Sequence, residues 1–85
     1  MITILFFAGF KEQTGCSSLP IPIDHGKQPL SLTTLKQQLG QKGAVWHDIM
    51  TSKQTLIAVN QQVVHDNPIL KDGDTVAFFP PVTGG

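Results

Sequence analysis

The sequence predicts an α+β fold, a mixed β-sheet packed on one main helix with a short second helix beside it. Three observations lead there. β-Branched and aromatic runs stand at both ends of the chain, over residues 2–8 and 75–79. One stretch between them, with Leu32, Leu35 and Leu39, repeats at helical spacing. Turn-forming residues cluster between the apolar runs rather than inside them. With 85 residues the chain makes one domain, burying about 60–65% of its unfolded surface. Its 40% apolar and 14% charged residues are those of a globule rather than a disordered chain.

Residues 2–8 suit a strand. Strand alternation puts Ile2, Ile4, Phe6 and Ala8 on one side and Thr3, Leu5 and Phe7 on the other. The side with polar Thr3 reads as the outer one. Residues 9–18 read as a loop broken by Gly15. Residues 19–23 alternate apolar residues with Pro20 and Pro22; proline cannot donate to a ladder, so this is an edge strand. Residues 24–29 form a polar loop. Ser31 is an N-cap candidate for the main helix, and Gly40 its stop signal. Residues 44–50 form the second helix, with Trp46 as a packing residue. Residues 56–59 are a short buried strand. Asn60-Gln61 turns the chain, since Asn tolerates φ > 0, and Val63-Val64 returns it. Residues 68–70 lead into the turn Lys71-Asp72-Gly73-Asp74. In the last strand Val76 and Phe78 share one face, and Thr75, Ala77 and Phe79 the other. Pairing the first and last strands centrally and in parallel protects the two most apolar runs and gives a β-grasp layout. Residues 1–79 form that domain, and 80–85 an extended tail.

Charge narrows the function classes. Six Lys balance six Asp and Glu, and there is no Arg. Such a chain is ill-suited to neutralising many phosphates, so no nucleic acid is expected, and no polybasic membrane anchor. A single cysteine, Cys16, rules out an internal disulfide and a multi-cysteine zinc or iron–sulfur site. The apolar N-terminus has no positive n-region and is too short to span a membrane, so the expected location is cytoplasmic. His25, His47 and His65 lack metal-ligand spacing, and no metal is expected. Asp72 and Asp74 flank a turn glycine, and turn chemistry accounts for them. Cys16 reads as incidental.

The tail carries the chemistry. Pro80-Pro81-Val82-Thr83-Gly84-Gly85 ends in a carboxylate without a neighbouring side chain. Two glycines present no Cβ to a narrow slot. Six extended residues reach about 20 Å. The prolines favour an extended start and lower the ordering entropy on binding. A Gly85 carboxylate on such an arm is suited to delivering an acyl group.

Leu5-Phe6-Phe7-Ala8, Ala58-Val59-Asn60-Gln61, and Gly73-Asp74 followed by residues 76–85 together resemble the small subunits of molybdopterin synthase, ubiquitin-like β-grasp sulfur carriers of molybdenum-cofactor biosynthesis. The order and spacing of elements agree over nearly the whole chain. The closing block is the specific part; residues 9–53 match only in pattern.

The resemblance implies a non-catalytic subunit of a sulfurtransferase complex. Its Gly85 carboxylate would be adenylated by a partner similar to ubiquitin-activating enzymes, which uses ATP. A cysteine desulfurase or rhodanese-like protein would supply sulfur, giving a thiocarboxylate. The tail would enter the large subunit and pass sulfur to a pyranopterin precursor, with two loaded carriers per dithiolene. No stably bound cofactor is implied. The working assembly would be a heterotetramer of two small and two large subunits. Docking is expected through Phe7, Val63 and Phe79, with the tail residues Pro80, Pro81, Val82, Thr83 and Gly84 held by the partner. Lys11 stands where family members often carry Arg, keeping the charge but losing the bidentate fork. Three alternatives share the Gly-Gly chemistry: a carrier for thiamine biosynthesis, one for tRNA thiolation, and a ubiquitin-like modifier. A binding module without covalent chemistry is a further one.

Overall fold

The computed structural model of the chain describes residues 1–23 and 29–81. Its centre is the expected pairing of the two ends. Strand β1, Ile2–Phe6, lies parallel to β7, Thr75–Phe79, with Ile4 opposite Val76 and Phe6 opposite Phe78. Strand β2, Ser18–Ile21, adds antiparallel to the outer side of β1. Strand β4, Leu56–Val59, adds antiparallel to β7, and β5, Gln62–Val63, closes that side. The five-stranded order is β2-β1-β7-β4-β5, the β-grasp layout. Pro20 sits on the edge strand, where its missing N–H costs no ladder bond.

Alternation sorts the faces as expected. Ile2, Ile4, Phe6, Val76 and Phe78 are buried beneath the helices. Against them pack Leu32, Leu35 and Leu39 of α2, Leu32–Gly40, and Ile49 and Met50 of α3, Ala44–Thr51. Phe6 stacks on Phe78, with centroids 5.7 Å apart, and meets Trp46 edge-on at 5.2 Å. Trp46 is thus the packing residue that its place on α3 predicts. Each such aromatic pair adds about 0.5–1.5 kcal/mol beyond area burial.

Helix α2 begins as the sequence indicates. The Ser31 hydroxyl accepts from the Thr34 N–H at 3.2 Å. The Leu32 N–H reaches the Pro68 carbonyl at 3.0 Å, and the Thr33 N–H reaches Asn67 Oδ1 at 2.8 Å. Three N–H groups that lack partners within the helix are therefore satisfied. Gly40 is the last helical residue, and Gln41 caps the end in a right-handed conformation rather than the left-handed one that Gly would serve.

Four readings change. Residues 9–18 are not a plain loop: they begin with α1, Gly9–Thr14, ended by Gly15 at φ 70°. Its six residues contain one apolar anchor, Phe10, so no helical period shows. The helix persists through packing of Phe10 on the core, not through propensity. Ala8 does not continue β1 inward; it is exposed, at φ 54° and ψ −133°, where the chain swings into α1. Residues 69–70 form β6, Ile69–Leu70, which pairs with β3, Leu30–Ser31, as a separate two-stranded ladder too short to announce itself. The return strand is Gln62–Val63 rather than Val63-Val64, although the Val64 N–H still donates to the Ile57 carbonyl at 3.0 Å. The expected polar loop falls mostly outside the described residues, as does His25.

Candidate docking face and tail root

The face of the sheet away from the helices is where the expected docking residues meet. Parallel register puts Leu5 opposite Ala77, and the antiparallel partner of Ala77 is Ala58, itself paired with Val63. One residue on from the Phe6–Phe78 pair, Phe7 and Phe79 border the same depression, with the Phe7 N–H donating to the Phe78 carbonyl at 3.2 Å. Phe7 is 49% exposed and Val63 52%, and Phe79 is half-buried. The three residues come from widely separated parts of the chain and share one face.

Phe7 and Phe79 border a shallow groove of about 440 Å³, which Val63 does not line. Leu5, Ala58 and Ala77 line it with Phe7 and Phe79, and Asn60, Gln61 and Thr75 supply its polar part. None of these side chains is charged. Small residues at the paired positions 58 and 77 leave the depression, because larger ones would fill it. Sequence reasoning named the aromatic residues and Val63 but missed Leu5, Ala58 and Ala77. For Leu5 and Ala77 a signal was present in the alternation, which puts them on the faces of Phe7 and Phe79; Ala58 joins them only through the register of β4 on β7.

The polar end of the groove is fixed by a turn. Asn60 and Gln61 both take positive φ, 52° and 71°, which suits a tight hairpin between β4 and β5. The Asn60 amide donates to Asp74 Oδ1 at 2.9 Å and accepts from the Thr75 N–H at 3.0 Å. Asp74 Oδ2 accepts from the Lys71 N–H at 2.8 Å. At this same end the Met1 ammonium pairs with Asp72, and the Met1 carbonyl accepts from the Gly73 N–H at 2.9 Å.

The tail leaves from the opposite end of β7, directly after Phe79. Pro80 is half-buried and Pro81 exposed. Val82, Thr83, Gly84 and Gly85 lie outside the described residues. Lys11 is on exposed α1 rather than in a loop, and no ion pair joins it among the described residues. The half-buried Cys16 thiol is free and donates to the Ser18 carbonyl at 3.1 Å. His47 and His65 are exposed and apart, and no cluster among the described residues could hold a metal. No helix among them is long and apolar enough to cross a membrane.

The sequence matches the ThiS family over residues 4–85. The chain belongs to the ThiS family. Among relatives of this ThiS-family chain, the molybdopterin synthase sulfur carrier subunit of Escherichia coli is 38% identical over 85 residues, covering all of both chains. That of Haemophilus influenzae is 34% identical, again over all of both chains. A solved complex of subunits 1 and 2 of the molybdopterin-converting factor of Helicobacter pylori contains a similar chain, at 27% identity and a TM-score of 0.68. That match covers 99% of this chain and 97% of the other. The ubiquitin-like β-grasp expectation and the resemblance to sulfur carriers thus hold for this ThiS-family chain.

Proposed function

We propose that this chain is the sulfur-carrier subunit of a molybdopterin synthase. The observation that carries the reading is its end-to-end identity with sulfur carrier subunits of that name, at 34% and 38%. The uncharged groove beside the tail root supports it, because a carrier must dock by its body while its tail is handled elsewhere.

In this reading the Gly85 carboxylate is the reacting group. A carboxylate is a poor electrophile, since its charge is delocalised over two oxygens. An adenylating partner joins it to the α-phosphate of ATP with loss of pyrophosphate, and AMP becomes the leaving group. A persulfide on the sulfur donor displaces AMP, and a thiol cleaves the resulting acyl disulfide, leaving the thiocarboxylate. The donor is a cysteine desulfurase or rhodanese-like protein. The loaded tail then enters the large subunit and gives its sulfur to the pyranopterin precursor. The chain itself contributes binding and reach: Phe7, Val63 and Phe79 dock, Pro80 and Pro81 direct the arm, and residues 82–84 thread the slot. It holds no cofactor of its own. Catalytic groups are supplied by its partners, and the assembly is a heterotetramer of two small and two large subunits.

Intact mass spectrometry tests this. Incubation with ATP, the adenylating partner and a sulfur source should replace one oxygen by sulfur at Gly85. An unchanged mass, with a partner active on its own known carrier, would falsify the carrier role. Adding the precursor and the large subunit should then return the carboxylate form.

A further inference from the structure

A second surface lies at the root of the tail. A polar pocket of about 250 Å³ opens where three segments meet. Lys36 of α2 forms one wall, Lys53 of the α3–β4 connection a second, and His65, after β5, a third. Ser52 and Thr55 also line the pocket. Asp66 is the one acid of the lining. Among the described residues, no ion pair joins it or any other carboxylate to Lys36 or Lys53. In a chain of zero net charge, two lysines lining one pocket with a single carboxylate, to which neither is ion-paired, leave a local excess of positive charge.

Its position gives that field a use. Leu56 lines the pocket and is the register partner of Phe79, the last residue before the tail. Because β4 and β7 are antiparallel, the chain leaving Phe79 heads past the segment that enters β4, which carries Ser52, Lys53 and Thr55. The positive pocket, on the helix side of the sheet, and the uncharged groove, on the other face, therefore come together only at the Leu56–Phe79 pair, where the tail departs.

We propose that Lys36 and Lys53 form an electrostatic clamp for an acidic segment of the protein that receives the tail, carboxylate side chains seating in this pocket while the apolar groove docks. The inference rests on the carrier reading and adds the partner's charge to it. The groove carries no charge and so supplies contact area; the clamp supplies orientation, fixing which way the tail points. Exposed charges of this kind act chiefly on association rate and salt dependence.

The test is binding of the full chain to the large subunit at low and high salt, with rates resolved. Charge reversal in K36E/K53E should weaken binding at low salt by about tenfold, mostly in the association rate, and flatten the salt dependence. K53E alone, at an exposed position, should show the same trend in smaller measure. Phe79→Ala should weaken binding alike at both salt concentrations. If the wild-type chain binds and K36E/K53E, folded by circular dichroism, binds with unchanged rates and salt slope, the clamp is overturned while the carrier reading stands. If the wild-type chain does not bind the large subunit at all, both fall.

Discussion

Asn60 and Asp74, from two different turns, are joined by a hydrogen bond of 2.9 Å from the Asn60 amide to Asp74 Oδ1. The same amide accepts the Thr75 N–H, and the Asn60 backbone N–H reaches the Thr75 carbonyl at 2.8 Å. The β4–β5 turn is thereby pinned to the start of β7, and the polar end of the groove is fixed by the fold. Asn at position 60 has two reasons to be there: it tolerates φ 52°, and its side chain both donates and accepts.

Replacing it separates those reasons. Asn60→Ala loses two side-chain hydrogen bonds and keeps the left-handed backbone, for a cost of about 2–3 kcal/mol. Asn60→Gly loses the same bonds without the backbone strain and should be the milder change. Urea unfolding of both variants checks the order; equal losses would remove the conformational argument.

Ala8 offers the opposite prediction. Its φ of 54° and ψ of −133° belong to territory that glycine occupies freely. Ala8→Gly should stabilise the chain by about 1 kcal/mol, strain relief outweighing the added freedom of the unfolded chain. Thermal unfolding at fixed pH reads the gain, and a lower melting temperature would contradict it.

The core prediction concerns Leu35, fully buried where α2 meets the sheet. Leu35→Ala should cost about 3–4 kcal/mol, a large share of the stability of so small a domain. The unfolding midpoint in urea should fall with little change in slope.

Phe79→Ala should behave otherwise. Phe79 is half-buried on the outer face and lines the groove, so its loss should cost only about 1–2 kcal/mol of stability. Affinity for the large subunit should drop by about thirtyfold or more, as for other aromatic anchors. Calorimetric titration against that subunit measures it, and an unchanged affinity would remove Phe79 from the docking face.

Much of this was legible because β-structure writes its faces into alternation. Ile2, Ile4, Phe6, Val76 and Phe78 declared the core, and Thr3 and Thr75 declared the other side. The capped start of α2 was legible because Ser31 and the three leucines obey one local rule. What stayed hidden was set by distant contacts. Helix α1 has one apolar anchor and exists because Phe10 finds the core. The β3–β6 ladder joins pairs of residues from remote parts of the chain. The groove floor was hidden for another reason: Ala58 and Ala77 matter through the space they leave empty, and their pairing depends on a register that no single segment specifies.

The parallel pairing of β1 with β7 carries a further consequence. Phe7 comes from one end of the sequence and Phe79 from the other, so neither end alone holds the platform. Such long-range pairing forms late, because the intervening loop must close first. A nascent or damaged chain thus displays the arm's sequence without the proposed docking surface. On the carrier reading, an enzyme that needs both would inspect the fold before charging the tail, and sulfur would be withheld from chains unable to use it.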